Sequence, residues 1–498
     1  MSFYVTTPIY YVNAAPHLGH AYTSIAADVL ARHHRMRGEE TFFLTGVDEH
    51  GEPVTLAAAA AGVSPQELVD ANAERFRALT GMLELSNDFF IRTTDADHKR
   101  LVAEFLQRVY DNGHVYEGFY EGWYCPRCAD FKTESEIGPG NSCPIHLIEL
   151  VRERERTWFF RLSAFQERLE RLYAERPDFV MPVHAFNEVR SFVAQGLVDI
   201  SLTRQALSWG VAVPWAPDHT FYVWFDALLN YVTALGYARP GESLERLWPA
   251  QLQQIGKDIS KFHAIYWPAL LMAGGMEPPC QLFVHGFLLG PDEAKMSKSR
   301  GNVLDPFSII ESHGADALRH YLFREVTFGQ DGPVSQEGFQ ARYDAELANE
   351  YGNLASRTLN MLGRYCDGRV PAVATDERLR AQFAGLFARV DELLARAEIS
   401  AALEEIWQHV RRLNRYVEEN APWALARDPA ARERLTEVLA SLAEGLRAVT
   451  VALLPYMPLR TAVLLDALGA GEHTERTFGA SGWGRPVSAI APLFPRSA

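Results

Sequence analysis

Hydrophobic positions change their period several times along the chain, and those changes divide it. Phe3 to Ile9 is rich in β-branched and aromatic residues and predicts a strand. A turn at 13–16 (NAAP) follows, with Pro16 suited to a first helical position. From His17 to about Arg35 the apolar residues Leu18, Ile25, Val29 and Leu30 recur at helical spacing. TFFLTGVD (41–48) reads as a second strand and PVTLAAAAAG (53–62) as the start of another helix. Strands alternating with helices predict a parallel sheet covered on both faces. Ligands then bind beyond the carboxyl ends of its strands, where Thr7–Tyr11 and Asp48–His50 fall.

Residues 116–160 lose helical periodicity and gain Gly, Tyr and Cys, the character of a small insertion of hairpins and knuckles. The earlier pattern resumes near 220 with TFYVWFDALLNYV, then LQQIGKDI, a helix over 261–273, and QLFVHGFLLG. From about 340 to 465 the pattern is helical throughout, with amphipathic stretches at 342–366, 378–396, 401–419 and 430–453. The tail, 480–498, has little periodicity and is expected to pack along the surface. The expected architecture is an α/β chain: a Rossmann-like parallel-sheet domain interrupted by an insertion, followed by an all-α helical bundle. Its expected boundaries are 1–115 and 220–290 for the two halves of the sheet domain and 116–219 for the insertion. A loop region follows at 291–340, the bundle at 341–465 and the tail at 466–498.

Charge and cysteine content narrow the setting. Acidic residues number 63 against 48 basic ones, a formal net charge of −15. That excludes a binder whose whole surface grips nucleic acid, though not a local basic groove. Five cysteines are too few for a disulfide scaffold and point to a reducing compartment. The N-terminus lacks the features of a signal peptide, and no apolar run is long enough to span a bilayer, so a cytoplasmic protein without a membrane partner is expected. Only six residues are Lys (99, 132, 257, 261, 295 and 298), and four of them lie between 257 and 298. Either chance clusters them, or a compact, flexible ammonium is needed there.

Three motifs carry candidate chemistry. Cys125-x2-Cys128 and Cys143-x2-His146 form two adjacent chelating pairs in a Cys-poor chain. They suit one tetrahedral zinc whose four filled positions leave it structural. Cys280 and Cys366 have no such partners and read as small packing residues. His17-Leu18-Gly19-His20 places two imidazoles on one face of a first helical turn, where free N–H groups and the macrodipole attract anions. Gly19 permits close approach of a nucleoside; taken alone, such a pair is more often a feature of an ordinary surface. Lys295-Met296-Ser297-Lys298-Ser299 follows a turn and lies on a loop. Its ammonium groups and hydroxyls can close over a triphosphate, or simply be solvated.

Together these motifs resemble the HIGH and KMSKS elements of the class I aminoacyl-tRNA synthetases, and within that class the chain is similar to the methionyl-tRNA synthetases. The likeness extends over TTPIYYVNAAPHLGH (6–20), TGVDEHGEP (45–53), YVWFDALLNY (222–231), GKDISKFHAIYWP (256–268), GNLASR (352–357) and APW (421–423). The resemblance implies a methionine site of Pro8, Ile9, Tyr11, Trp224, Ala227, Leu228, Tyr231, Ile259 and His263. Asp48 would take the substrate ammonium, and Tyr11 and His263 would lie near the thioether; any one of these aromatics alone would read as core. It implies an ATP site of His17, Gly19, His20, Gly256, Asp258, Lys295, Ser297 and Lys298, with Mg²⁺ accompanying ATP. His17, His20, Lys295 and Lys298 would be the catalytic groups. Asn353, Arg357 and Trp423 would read the CAU anticodon of initiator and elongator tRNA(Met).

Competing readings remain open at this point. A valine, leucine or isoleucine enzyme would insert a large editing domain, for which the stretch between His20 and Lys295 is too short. A cysteine enzyme would put zinc in its substrate pocket, and an adenylyltransferase would need neither the chelating insertion nor the bundle. An RNA-binding relative without catalysis would have little reason to keep both motifs. Because the chain ends soon after the bundle, a monomer is expected.

Overall fold

The computed structural model describes residues 2–127, 130–132, 134–205, 207–291, 304–471, 475–479 and 484–496. The chain forms two compact units. One comprises Met1–Ala27, Arg37–Gly81 and Leu85–His285; the other comprises Asp28–Met36, Met82–Glu84 and Gly286–Ala498.

The first unit is built on a seven-stranded sheet whose strand pairings are all parallel. Ser2–Thr6 lies within it, between Glu40–Asp48 and Leu252–Gly256. Leu282–His285 and Val180–Met181 extend the Leu252–Gly256 side, while Tyr10–Tyr11 and Phe89–Arg92 both pair with Glu40–Asp48. A strand covered on both faces needs apolar residues without alternation, and Thr41 to Asp48 is buried at every position. Gly46 is obligatory there, because a Cβ would lie 2.2 Å from the Ile91 carbonyl oxygen.

The expected strand Phe3–Ile9 ends early, at Thr6. Pro8 has no N–H for the ladder, so the chain turns out at 7–9 and rejoins the sheet as Tyr10–Tyr11 beside Val47–Asp48. The Thr7 and Thr45 hydroxyls, 2.7 Å apart, fasten this detour. The following helix runs Leu18–Met36 and closes on His33, His34 and Arg35, which suit the negative end of its dipole. The insertion opens as a long antiparallel hairpin of Val115–Cys125 and Val151–Phe160, in register from Val115↔Phe160 to Tyr124↔Val151.

The second unit is helical, as the sequence pattern predicts, with two differences in detail. Where one helix is expected over 342–366, Gln336–Arg342 runs through a π-helical segment, Tyr343–Gly352, into Asn353–Tyr365. The expected helix 378–396 is two, Glu377–Phe383 and Leu386–Ala395, with Asp376 capping the first and Gly385 preceding the second. Ile399–Asn420 is amphipathic, whereas Arg432–Leu453 is buried at every position from Val438 to Leu453.

Two of those buried positions are charged. Arg447 and Glu444 pair at 2.7 and 2.9 Å, and neither side chain is exposed. Arg447 also donates to the carbonyls of Glu475 (3.0 Å) and Thr477 (2.5 Å), and Glu444 accepts from the Gly479 amide at 2.5 Å. Segment 475–479 is thereby strapped across the central helix. The tail does more than run along the surface: Leu493 and Phe494 are buried, and the Phe494 ring lies 6.2 Å from that of Tyr343. Among the described residues, no helix is long and apolar enough to cross a membrane.

Candidate active site

The carboxyl ends of the central strands collect most of the residues singled out in the sequence. At the start of the long helix, the rings of His17 and His20 stack with centres 3.8 Å apart. His20 Nδ1 accepts from the His17 amide and His17 Nδ1 from the Gly19 amide, each at 3.1 Å. These acceptor roles assign both ring protons to Nε2. Tyr10 supports His20 from below, ring centres 4.6 Å apart, and is itself held by Ser24 at 2.9 Å. Burial, and next the neighbouring His17, hold His20 well below the ordinary histidine range, so it is a neutral donor. One expectation changes here. The amides of His17 and Gly19 are taken up by the imidazoles, so an anion at this end meets ring N–H groups in place of those two backbone amides.

Gly256 ends its strand, and the Asp258 carboxylate folds back over it; a Cβ on Gly256 would lie 2.6 Å from Asp258 Oδ1. Asp258 is exposed. On the next strand His285 Nε2 pairs with the Thr23 hydroxyl at 2.8 Å, and Thr23 donates to the Gly19 carbonyl at 3.2 Å. Lys295, Ser297 and Lys298 lie outside the described residues.

The residues expected to hold an amino acid fall along the adjoining strand ends and helix starts. Ile9, Tyr11, Trp224 and Ile259 are half-buried side chains packed on the apolar core that contains Leu228 and Tyr231. Pro8 and Ala227 are buried. Tyr11 stands edge-on to Trp224 with ring centres 6.0 Å apart, and Trp224 stacks on Phe262 at 3.8 Å. The Tyr231 hydroxyl meets His263 Nε2 at 2.8 Å, and His263 Nδ1 meets the Ile259 carbonyl at 3.1 Å. Since a carbonyl only accepts, Nδ1 carries the proton and Nε2 accepts from Tyr231. Burial holds His263 down at about 4, so the ring is neutral and the wall it forms is uncharged. Asp48, in register with Tyr11, is buried. Burial first, and then the charge of Asp226, push its carboxyl well above the ordinary range, with the His50 amide and Thr93 hydroxyl pulling the other way.

Asp226 itself is absent from the residues that sequence reasoning selected. It lies on Val223–Leu228, between Trp224 and Ala227, and is 1% exposed. Its carboxylate meets His50 Nδ1 at 2.5 Å and His98 Nε2 at 2.8 Å, and His98 Nδ1 reaches the Thr233 hydroxyl at 2.7 Å. Burial alone would raise Asp226; the two imidazoles, His50 foremost, outweigh it and bring the carboxyl down to about 2. The signal available in sequence was the polar run Asp48-Glu49-His50 at a strand end, with nothing to name its distant partner.

In the insertion, Cys125, Cys143 and His146 form a group able to hold a metal ion, their ligand atoms all within 4.8 Å of one another. His146 Nδ1 stands 3.9 Å from Cys125 Sγ and 3.8 Å from Cys143 Sγ. Tetrahedral zinc with ordinary bond lengths sets sulfur and nitrogen ligands about 3.6 Å apart, so the donor set fits. The amide of Cys143 bonds the Ile148 carbonyl and its carbonyl receives the Leu147 amide, each at 2.8 Å, which curls this knuckle. Cys128 lies outside the described residues. Cys366 is half-buried, but Cys280 is exposed, which corrects the expectation that both are packing residues.

In the helical unit, Asn353 is exposed and Arg357 half-exposed at i and i+4 of Asn353–Tyr365. The Arg357 guanidinium lies 5.5 Å over the Trp423 ring and donates to Glu418 at 2.8 Å. Trp423 is 38% exposed, so the three residues form one surface cluster and the indole is no core residue.

The chain matches known proteins over nearly its whole length. The family model described as tRNA synthetases class I (M) matches residues 3–149 and 141–359. A methionine–tRNA ligase of Streptomyces coelicolor is 44% identical over 99% of this chain and 96% of that protein, and one of Caldanaerobacter subterraneus is 42% identical over 99% of this chain and 79% of its own length. A structure of Mycobacterium tuberculosis methionyl-tRNA synthetase in complex with methionyl-adenylate superposes with a TM-score of 0.94, at 42% identity, covering 99% of this chain and all of the other. The apo form of that enzyme gives a TM-score of 0.88 at 38% identity. The chain belongs to the class I tRNA synthetases of the M type, the family of the methionine–tRNA ligases.

Proposed function

We infer that the chain is an ATP-dependent methionine–tRNA ligase, which activates L-methionine to methionyl-adenylate and transfers it to the 3′ end of tRNA(Met), initiator and elongator alike. One observation carries the choice of amino acid. The proposed slot between Tyr11, Trp224, Tyr231 and His263 is aromatic and uncharged, and the buried carboxylate of Asp48 stands in register with Tyr11. An unbranched thioether packs well against ring edges, and the α-ammonium finds the carboxylate. The relatives named methionine–tRNA ligase, and the one solved with methionyl-adenylate, support the same reading.

In the first step the methionine carboxylate oxygen attacks the α-phosphate of ATP, and pyrophosphate leaves. The nucleophile belongs to the substrate, so the protein's contribution is placement and charge stabilisation. His17 and His20 direct Nε2–H groups at the reacting phosphate, Asp258 accepts from ribose hydroxyls beside Gly256, and Lys295, Ser297 and Lys298 offset charge on the departing pyrophosphate. Gly19 leaves room for the nucleoside. Mg²⁺ accompanying ATP would neutralise its phosphates. In the second step a terminal ribose hydroxyl of tRNA attacks the adenylate carbonyl and AMP leaves. Zinc held by Cys125, Cys128, Cys143 and His146 has a folding role, fixing the knuckle without touching the reacting atoms. Asn353, Arg357 and Trp423 read the anticodon, by hydrogen bonds to base edges and by stacking. The setting that fits this work is the cytoplasm.

Pyrophosphate exchange into ATP, run with a panel of amino acids, tests the reading. Methionine alone should drive exchange; exchange driven by cysteine, leucine or valine, or none with any amino acid, would overturn it.

A further inference from the structure

The turn that carries Asp48 is tied to the helix that carries the aromatic wall by a buried hydrogen bond. Four successive residues of the turn are individually pinned. Asp48 Oδ1 lies 3.5 Å from the Thr93 hydroxyl, which also receives the Glu49 amide at 2.9 Å. Glu49 pairs with Arg92 at 2.7 Å. The Gly51 amide donates to the Trp209 carbonyl at 3.3 Å, and the Trp209 indole donates to the Glu49 carbonyl at 2.6 Å. His50 reaches across to the helix Val223–Leu228 by a hydrogen bond to Asp226, beside the packing of Gly51 on Val223. The other oxygen of Asp226 takes His98, so both oxygens are committed and the carboxylate has one orientation. Neighbours of Asp226 on that short helix are Trp224, Ala227 and Leu228, which form the proposed wall against the methionine side chain.

We propose that Asp226, acting through His50, is the positioning residue that sets Asp48 against the aromatic slot, and so fixes where the substrate ammonium binds relative to its side chain. The proposal rests on the reading of Asp48 and Trp224 as methionine-site residues. Two carboxylates meet in this small buried volume. Asp226 and Asp48 repel one another, and the two imidazoles lie on the Asp226 side. An incoming ammonium beside Asp48 therefore relieves a repulsion that Asp226 helps create, and Asn at position 226, with one acceptor oxygen and no charge, weakens the tie and removes that gain. ATP is bound by other strand ends and should not sense the change.

The test uses the full chain with Asp226→Asn, and His98→Gln as the milder variant that keeps the His50 link. In pyrophosphate exchange, Asp226→Asn should raise KM for methionine by about 10- to 100-fold, with KM for ATP within about twofold. Competition by two inhibitors then separates placement of the ammonium from general loosening. L-methioninol, which keeps the amine, should weaken as methionine does; the des-amino analogue of methionine should bind nearly as before. His98→Gln should show the same split at a smaller size. Equal weakening of both inhibitors, or a methionine KM that rises only in step with the ATP KM and a falling melting temperature, means Asp226 merely supports the fold and overturns the proposal. Unchanged methionine KM in both variants also overturns it. If the wild-type chain itself shows no methionine-dependent exchange, the functional reading fails instead, and the two failures are distinct.

Discussion

The strand-end site and the helix-surface cluster are held in opposite ways. Asp48, His98 and Asp226 are 2%, 0% and 1% exposed, and each oxygen of Asp226 has a named partner. Asn353, Arg357 and Trp423 face solvent, and among the described residues the ion pair of Arg357 with Glu418 joins a half-exposed guanidinium to an exposed carboxylate. Buried polar groups are costly unless partnered, so the first site keeps a single geometry before any ligand arrives. A solvent-screened pair contributes little, so the second can exchange its partners for those of a flexible macromolecule at small cost. A small substrate calls for prior order; an unstacked base calls for accessible faces.

This contrast can be broken in four places. The largest effect belongs to the lysine loop: Lys298→Ala should slow adenylate formation by about 10²-fold or more with methionine affinity nearly unchanged. Single-turnover kinetics with separate methionine binding checks it, and lost methionine binding at an intact rate would place this lysine elsewhere. Next, Gly256→Ala pushes a Cβ to 2.6 Å from Asp258 Oδ1 and should raise KM for ATP by about 10²-fold, since small displacements of positioning groups are that costly. A methionine KM rising equally would show that the ordered site answers as one block.

Trp423→Ala should reduce charging of tRNA bearing CAU about five- to a hundredfold, the scale of one lost stacking contact, while pyrophosphate exchange stays near wild type. Because the indole is 38% exposed, its removal leaves no cavity in the core. Equal losses in charging and exchange, measured on one preparation, would erase the distinction between the two regions.

The smallest effect is on stability. His263 is held at about 4 in the fold against a usual 6.5. Between those values the unfolded chain binds a proton that the folded chain does not, so the stability associated with this ring is full above the window and is lost as pH falls through it. The slope is about 1 kcal/mol per pH unit. His263→Gln should flatten the denaturation free energy against pH by that amount, whereas Trp423→Ala should leave the slope alone. Asp48, raised by burial, contributes with the opposite sign, so the difference between variant and wild type is the quantity to read.

Much of this was legible in sequence because it is local. Period changes located the sheet unit and the bundle, and short motifs located the strand ends, the knuckle and the surface triplet. The parts that were not legible depend on distance or on one backbone detail. Asp226 reads as an ordinary acidic residue in a helix until folding brings His50 and His98 to it, across 176 and 128 residues of chain. The π-helical Tyr343–Gly352 keeps nearly helical spacing and cannot be told from an α-helix by period. Pro8 did carry a signal against a continuous first strand, and the β-branched run around it outweighed that signal. The imidazole capping of the His17 and Gly19 amides depends on side-chain rotamers, which no spacing specifies.

The strap at 475–479 has a consequence for how far the chain can be shortened. Arg447 and Glu444 are tolerable inside a buried helix because they pair with each other and because two carbonyls and an amide from that strap bond to them. Shortening from the C-terminus should therefore show a threshold at the strap, separate from the cost of uncovering Tyr343 when Leu493 and Phe494 are lost. A cut before Glu475 removes the Glu475, Thr477 and Gly479 partners of the ion pair and admits water to it. The helices would then be open to proteases at a site far from the missing residues in sequence, and the cleavage map of a truncation series would trace that threshold directly.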